Sequence, residues 1–471
     1  MKKSGILLYW VFFCGIFSGM AQLSVLHNFN DTTGFSPYYC NLVFSNDVLF
    51  GMTTNGGNTG EGVVFSIHSD GSGFDTLHNF TESSGYAPFG SLTPSGSMLF
   101  GMTFQGGKDS NGCVFSIHTD GSVYQDILDF NFTNGKNPTG SLTQLNNTLY
   151  GMTANGGFHA GPEGSGYGVI FSVQTDGTHN SILLNFNDSN GAYPHGSLAI
   201  AGNLLFGMTY SGGVDSMGCV FSIFTDGSGY NKLLDFNGAN GSNPSGSVIV
   251  ADSLLFGMTQ NGGTSGLGVV FSIHTDGSNY KDLFDFDSIS GQNPSGDLLR
   301  MDSLLYGLTS QGGAVNAGVL FSIHTDGSSY KTLYDFNNTD GYNPNGSLTA
   351  SGTNFYGMTQ YGGNYSGGVI FDFSTITTSV KKIISPAEEA ITIYPNPAFG
   401  QVQFLISCNK HTVAKLNVMD MLGNTFSTET LQLSTGNTVY GKDIRGLSGG
   451  SYFIQIVPEE GNTIQKILVV R

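Results

Sequence analysis

The sequence is poor in tryptophan, in positive charge and in long apolar runs. Trp10 is the only tryptophan among 471 residues, and 16 Lys and Arg stand against 34 Asp and Glu, a net charge of −18. A chain this acidic repels phosphate backbones, which argues against nucleic acid as a partner. With only 13 Pro a collagen is excluded, and after the first residues no apolar run reaches the ~20 residues of a membrane-spanning helix. With 39% apolar residues the chain can still bury a core.

The first residues have the layout of a secretory signal. Two lysines precede a short apolar run that ends at Phe17, and small residues follow up to Ala21. We predict a signal peptide over residues 1–21, cleaved between Ala21 and Gln22. The mature chain then contains no tryptophan at all.

What the sequence has in abundance is glycine, 70 residues, arranged in a tandem repeat. The glycine of a Gly-Met-Thr phrase (Gly-Leu-Thr once) recurs at Gly51, Gly101, Gly151, Gly207, Gly257, Gly307 and Gly357. Five of the steps are 50 residues and the third is 56. This spacing indicates seven copies of one unit, with a six-residue insertion in the third copy.

Each copy is predicted to form four short β-strands. In the fifth copy these follow the Asn243-Pro244 phrase and then cover 254–259, 268–273 and 280–286, which are rich in Val, Ile, Phe and Tyr. Asp-Gly between the third and fourth strands indicates a two-residue hairpin. We interpret the strand glycines as sites where blades crowd towards a central channel.

Seven four-stranded units predict an all-β fold, a seven-bladed β-propeller, rather than a β-solenoid. The array opens with a lone fourth strand at 24–29 and ends with three strands that finish at 368–373. These fragments complete one blade, so N- and C-terminal strands would close the ring and remove its edges. An alternative is that 380–383 supplies the last strand.

Cysteine is scarce in the predicted mature chain, which contains Cys40, Cys113, Cys219 and Cys408. Export would permit disulfides. However, Cys113 and Cys219 occupy a position that holds Val in other copies. We therefore expect small buried side chains with free thiols.

The repeated phrases resemble those of the GloVer tandem repeats, with Leu-[Phe/Tyr]-Gly-Met-Thr-x-x-Gly-Gly and Gly-x-[Val/Ile]-Phe-Ser cores over residues 24–374. Departures are Leu308 for Met and Asp372 for Ser. The resemblance implies a propeller-like exported protein and brings no settled activity with it.

The C-terminal residues break the period. Residues 376–390 read as a linker, and 391–471 contain five apolar alternations typical of a small antiparallel β-sandwich (401–406, 414–419, 439–444, 452–457 and 464–470). The phrases include Tyr394, Pro395, Asn396, Pro397, Gly423, Gly449, Gly450 and Tyr452. They resemble the type A sorting domain of the type IX secretion system of Bacteroidota. The resemblance implies passage across the outer membrane through that machinery; the alternative is a generic adhesive sandwich.

The repeated polar residues have structural explanations. The Asp of each Asp-Gly is typical of a turn. The same phrase contains His68, His118, His274 and His324, so we interpret these histidines as structural residues of the repeat. The loop 285–291 is faintly similar to a calcium loop, but its glycine stands one position late. We predict turn capping there and no resident metal or cofactor, with calcium as the alternative.

The inserted stretch 158–167 makes the third copy the best place for a unique site, although a tolerated surface loop is the simpler explanation. The leading hypothesis is a non-catalytic, secreted or surface-exposed monomer that binds an extracellular glycan or protein. The alternative is a polysaccharide hydrolase or lyase. For such an enzyme, the candidate catalytic residues are His159, Glu163 and His195.

Overall fold

The computed structural model describes residues 22–159, 161–374, 390–408, 410–420, 425–458 and 464–470. The chain divides into two compact units, Met1–Thr378 and Ser379–Arg471. Of the predicted linker 376–390, only Ala390 lies within the described residues, and it begins a strand. In the described part, no helix is long and apolar enough to cross a membrane.

The first unit consists of seven four-stranded antiparallel sheets, which we number I to VII. Sheet I contains β2 (Val43–Ser45), β3 (Val48–Thr53), β4 (Val63–His68) and β5 (Asp75–Asn79). Sheet II contains β6 (Thr93–Ser95), β7 (Met98–Thr103), β8 (Cys113–His118) and β9 (Gln125–Asp129). Sheet III contains β10 (Thr143–Leu145), β11 (Thr148–Thr153), β12 (Val169–Gln174) and β13 (Ser181–Asn185). Sheet IV contains β14 (Ala199–Ala201), β15 (Leu204–Thr209), β16 (Cys219–Phe224) and β17 (Asn231–Asp235).

The remaining sheets continue the pattern. Sheet V contains β18 (Ile249–Ala251), β19 (Leu254–Thr259), β20 (Val269–His274) and β21 (Lys281–Asp285). Sheet VI contains β22 (Leu299–Met301), β23 (Leu304–Thr309), β24 (Val319–His324) and β25 (Lys331–Asp335). Sheet VII contains β26 (Thr349–Ser351), β27 (Asn354–Thr359), β28 (Val369–Ser374) and, as its fourth strand, β1 (Gln22–Asn28). Two 3-10 helices, Glu82–Ser84 and Pro162–Gly164, lie in loops.

The fourth strand of sheet VII comes from the other end of the repeat array. β1 pairs antiparallel with β28, with Gln22 opposite Ser374 and Asn28 opposite Val369. The alternative fourth strand at 380–383 lies outside the described residues.

Each sheet is a meander, so its connections separate into two ends. The loops between second and third strands, and the connections to the next sheet, lie at what we call the upper end. The turns between first and second strands and between third and fourth strands lie at the lower end. The inserted stretch of the third repeat is therefore at the upper end.

Neighbouring sheets are joined by pairs of buried phenylalanines. A Phe that follows the fourth strand of one sheet packs against the third-strand Phe of the next, with ring centroids 5.1–5.5 Å apart. The pairs are Phe29–Phe65, Phe80–Phe115, Phe130–Phe171, Phe186–Phe221, Phe236–Phe271, Phe286–Phe321 and Phe336–Phe371. Such tilted pairs add about 0.5–1.5 kcal/mol each beyond their buried area. Since Phe29 follows β1, the pairs link sheet VII to sheet I as well.

Two local predictions need correction. The strand glycines do not serve contacts between blades: a Cβ on Gly51 would lie 2.5 Å from Cζ of Phe65, the residue opposite it on the adjacent strand. The Asp-Gly turn is not a two-residue hairpin either, since β20 ends at His274 and β21 begins only at Lys281. The two-residue turns instead join first and second strands, with positive φ at Asn46 (51°) and at Gly96 (62°).

The second unit contains seven strands. They are β29 (Ala390–Phe399), β30 (Gln401–Cys408), β31 (Thr412–Asp420), β32 (Thr425–Leu433), β33 (Gly436–Asp443), β34 (Gly450–Pro458) and β35 (Ile464–Val470), in the order β32-β31-β34-β35-β29-β30-β33. Five of them cover the predicted alternations, while β29 and β32 were missed. A single parallel residue pair, Ala398 with Val470, joins the two groups of ladders.

Candidate ligand-binding site

Seven loops converge at the upper end in a cyclic series of hydrogen bonds. Each loop carries the Pro-x-Gly-Ser phrase or its variant, and a backbone N–H of one loop donates to the side-chain oxygen of the next. The donors and acceptors are Asn41 to Ser91 (2.9 Å), Ser91 to Ser141 (2.7 Å), Ser141 to Ser197 (2.8 Å), Ser197 to Ser247 (2.7 Å), Ser247 to Asp297 (2.6 Å), Asp297 to Ser347 (2.6 Å) and Ser347 to Asn41. The last bond returns the series to its first residue. Each such bond contributes about 0.5–1.5 kcal/mol net.

The loop glycines allow this close approach. A Cβ on Gly140 would lie 2.2 Å from the carbonyl oxygen of Gly196, and Gly196 has the same relation to Gly246. Backbone contacts between sheets therefore occur here, in the loops. The first loop has Cys40 instead, a buried side chain whose Sγ donates to the carbonyl oxygen of Tyr38 at 3.3 Å.

The loops surround a small axial cavity of about 20 Å³ whose lining includes Tyr39, His195 and Asp297. This volume accommodates about one water molecule. Burial lowers the pKa of His195 to about 4, so its ring is neutral at neutral pH. Burial also raises the pKa of Asp297, opposed by hydrogen bonds from Ser247 and Ser347.

Two aromatic side chains line this cavity, Tyr39 and His195, and each belongs to a group of ring contacts. Tyr39 packs against Tyr38 (4.3 Å), Tyr38 against Phe89 (5.5 Å) and Phe89 against Phe104 (4.8 Å). In a second group, His195 stacks on Tyr210 at 4.5 Å. We call these six residues the aromatic crown: Tyr38, Tyr39, Phe89, Phe104, His195 and Tyr210.

Two of the crown tyrosines, Tyr38 and Tyr210, are neutral hydrogen-bonding groups at neutral pH. Burial, followed by the neighbouring Tyr39, raises the pKa of Tyr38. Burial, followed by the charge of an ionised Tyr39, likewise raises the pKa of Tyr210. The crown thus combines apolar ring faces with protonated hydroxyl groups.

Two of the three candidate catalytic side chains are described, and their neighbours differ. His195 lies in the crown, whereas His159 is half-buried in the inserted loop, where its ring contacts Phe158 at 5.7 Å. The side chain of Glu163 lies outside the described residues. The inserted loop does reach the fourth copy, since Ser165 Oγ is 3.4 Å from Tyr193 Oη.

The remaining polar positions act as turn caps. Asp120 Oδ1 accepts from Ser122 N at 2.9 Å and from Ser122 Oγ at 2.6 Å. In the suspected calcium loop, Asp285 accepts from Thr264 N at 2.7 Å, and Asp287 Oδ1 accepts from Ser290 N at 2.7 Å. Among the described residues, no three His, Cys, Asp or Glu side chains are grouped as metal ligands.

The cysteine prediction is confirmed where the structure describes it. Cys113 and Cys219 are fully buried free thiols. Burial raises the pKa of Cys219 to about 11, so its thiol is protonated and unreactive at neutral pH.

The sorting-domain residues occupy both surface and core positions. Tyr394 and Asn396 are exposed, in a stretch where the β29–β30 ladder is interrupted between Tyr394 and Phe399. Tyr452 is buried, and its hydroxyl donates to the carbonyl oxygen of Ser448 at 2.8 Å. Gly449 is exposed beside Gly450, the first residue of β34. Gly423, the side chains of Pro395 and Pro397, and the cleavage residue Ala21 lie outside the described residues.

The sequence analysis did not predict the crown, although the sequence contains one irregularity that points to it. Gly34 and Gly85 are 51 residues apart, while Leu42 and Leu92 are 50 apart. The first copy therefore has one extra residue between these points, in the stretch that contains Tyr38 and Tyr39. Alignment of all copies residue by residue would have found this departure.

Comparison with solved structures gives a distant likeness in fold. A puromycin-hydrolysing peptidase of Mycobacterium tuberculosis superposes with a TM-score of 0.50 at 10% identity, covering 80% of this chain. The chain spans only 62% of the peptidase. A fungal alcohol oxidase in complex with copper gives 0.48 at 11% identity, covering 96% of this chain and 99% of the oxidase. At such identities the peptidase indicates a shared fold and no shared activity.

Family comparisons are more specific. No curated protein matches the chain. The secretion system C-terminal sorting domain matches residues 392–470, so the chain is exported to the outer surface or secreted through the type IX machinery. The Gloeobacter/Verrucomicrobia repeat matches residues 15–164, 159–371 and 301–390. The chain therefore belongs to the Gloeobacter/Verrucomicrobia repeat family and carries a C-terminal secretion sorting domain.

Proposed function

We propose that the repeat unit is a closed seven-bladed β-propeller. Support comes from two independent series that both return to their start: the seven loop hydrogen bonds and the seven phenylalanine pairs. In each series the step from sheet VII to sheet I has the same chemistry as the other six. We further propose that the C-terminal unit is a small β-sandwich, because buried residues of both groups of ladders, such as Phe404 and Leu416, belong to one core.

We infer that this propeller is a non-catalytic binding module whose ligand is a neutral extracellular glycan. The observation that carries the proposal is the aromatic crown, because ring faces beside hydroxyl donors suit the apolar faces and hydroxyl groups of sugars. The repeat body from 23 to 380 has 27 acidic and only six basic residues. This charge repels uronate or sulfate groups, so a neutral glycan is favoured over an acidic one.

The same geometry favours binding over catalysis. The axial cavity beside His195 holds about one water molecule and cannot admit a sugar ring. His159 is not among the residues that line it. A separate experiment tests the hydrolase or lyase alternative. If the protein degrades a polysaccharide and Glu163→Gln abolishes this activity, the enzyme hypothesis is supported over binding alone.

Export supplies the setting for this function. We propose that residues 1–21 are a signal peptide removed before Gln22, which is the first residue of β1. The mature protein is then a monomer displayed on the cell or released from it. Anchoring of the repeat body depends on removal of the sorting domain. The mass of the secreted protein shows whether the sorting domain has been removed.

Binding of the full chain to soluble polysaccharides tests the glycan proposal. We expect neutral xylan or laminarin to bind more tightly than alginate, with no change on addition of EDTA. Tyr39→Ala and Tyr210→Ala should each weaken binding about two- to tenfold, since a stacked ring contributes about 0.5–1.5 kcal/mol. Affinity electrophoresis and calorimetry provide the measurements.

The control is Phe224→Ala, which removes a part-exposed aromatic ring at the lower end. It should leave binding unchanged. Equal affinity of wild type and both crown variants would contradict the proposal, as would preference for alginate.

A further inference from the structure

A large crevice lies at the lower end of sheet I, against the two-residue turn of sheet II. Its volume is about 520 Å³. Val48, Phe50 and His68 contribute from sheet I, and Gly96, Ser97 and Thr119 contribute from sheet II. Because the crown is at the upper end, this crevice is a separate site.

The sequence explains why the crevice opens at this place. Val48 is smaller than Met98, Leu204, Leu254 and Leu304, its equivalents in four other sheets, and similar in size to Thr148 of sheet III. The corresponding crevice of sheet VI, lined by Leu304, measures only about 310 Å³. On the other wall, a Cβ on Gly96 would meet no atom within 4 Å. The two small residues therefore leave the space free.

The lining is neutral and rich in hydroxyl groups. Ser45, Ser66, Ser97 and Thr119 supply hydroxyls, Asn46 supplies an amide, and Val48 and Phe50 form an apolar wall. His68 is the only titratable side chain among the described lining residues, and none of them is Asp, Glu, Lys or Arg. An ammonium group would therefore find no counter-ion in this crevice, and a phosphate or carboxylate group would find only His68.

We propose that this crevice binds a neutral sugar unit of one or two rings. Its volume is within the ~300–1,000 Å³ of small-molecule sites, and hydroxyl, amide and imidazole groups offer the donors and acceptors that sugar hydroxyls require. The site differs from the crown in size and in its lack of an aromatic platform. A chain with both sites engages a polymer at two points, which raises its avidity.

The other repeats supply variants that fill the crevice without disturbing the fold. Val48→Leu installs the residue of sheets IV, V and VI. Gly96→Asn is compatible with the backbone, because Asn46 and Asn146 adopt the same positive φ at equivalent turns (51° and 54°). His68→Phe is compatible as well: Phe224 packs on Gly229 as His68 packs on Gly73.

The probes are glucose, galactose, mannose, N-acetylglucosamine and their β-1,4-linked disaccharides. Binding to the full chain is measured by saturation-transfer NMR and calorimetry. We expect at least one probe to bind in the millimolar range, and Val48→Leu, Gly96→Asn and His68→Phe to weaken it at least tenfold. The equivalent turn variant Gly202→Asn should leave it unchanged, with thermal unfolding checked for every variant.

The outcomes separate this site from the crown. Loss of probe binding on Tyr39→Ala but not on Val48→Leu assigns the sugar to the crown and overturns the crevice proposal. Absence of binding by every probe also overturns it. Retained probe binding together with failure of polysaccharide binding leaves the crevice in place and rejects only the crown.

Discussion

At the scale of single residues, Asp372 departs most from the repeat. The other six copies have Ser at this position: Ser66, Ser116, Ser172, Ser222, Ser272 and Ser322. Asp372 Oδ2 accepts from Asn354 Nδ2 at 2.9 Å, while Oδ1 is buried without a hydrogen-bond partner in the described part. Burial raises the pKa of Asp372 to about 6, opposed by the bond from Asn354.

This carboxylate makes stability depend on pH in a defined direction. Because its folded pKa of about 6 exceeds the ordinary 3.8, ionisation favours the unfolded chain, and stability is lost as pH rises from 4 through 6. Asp372→Ser should therefore stabilise the protein above pH 7, by on the order of 1–2 kcal/mol after solvent screening. The gain should vanish at pH 4. Thermal unfolding by circular dichroism from pH 4 to 8 measures it.

The matched control is Ser322→Asp, which places a carboxylate at the buried equivalent position of sheet VI. It should destabilise the protein at pH 8 and have little effect at pH 4. A gain from Asp372→Ser that is equal at both pH values would show that ionisation is not the cause.

At the scale of elements, the strands follow from local sequence. Strand β19 covers Leu254–Thr259 as predicted, because Leu, Phe and Thr favour strands and its ladders join neighbours along the chain. The prediction of a two-residue hairpin at Asp-Gly was wrong. The side chain of the Asp caps a longer connection, and the length of a connection cannot be inferred from the dipeptide alone. Strand β1 differs from all others, since its ladder partner β28 is at the far end of the repeat array.

Deletion of residues 22–28 tests the proposal that β1 closes a ring of sheets. The variant exposes the edge of β28 and releases Phe29 from its anchor, so we expect a lower unfolding temperature and self-association through the free edge. Light scattering and circular dichroism measure both effects. A peptide covering 22–29 added in trans should restore the wild-type values, and a scrambled peptide should not. A deletion variant that is monomeric and as stable as wild type would count against closure.

At the scale of the whole molecule, the chain combines an acidic repeat body with a near-neutral export domain. Deletion of residues 388–471 should leave the repeat body in the periplasm, because the sorting domain is the part that the type IX machinery recognises. Fractionation of the native host, with immunodetection of the body, measures the location. Fusing residues 388–471 to a periplasmic reporter should export the reporter. Surface display of the truncated body would refute the assignment.

The sequence alone determined the repeat number, the four strands of each copy and the export route. These features depend on residues close together along the chain, where hydrophobic alternation, turn residues and short motifs act locally. It also indicated β1 as a closing strand, from the incomplete fragments at the two ends of the array.

Only the tertiary structure decided which residues meet. The bond from Ser347 to Asn41 joins residues 306 positions apart, and the crown consists of side chains from three copies. The structure also separated His195 from His159, and it showed that Gly51 accommodates the ring of Phe65 within its own sheet. Such contacts depend on how sheets pack against one another, and a period of 50 residues is compatible with many packings. Packing between sheets therefore determines the candidate binding surfaces, while the local sequence pattern determines the four-stranded units from which they are built.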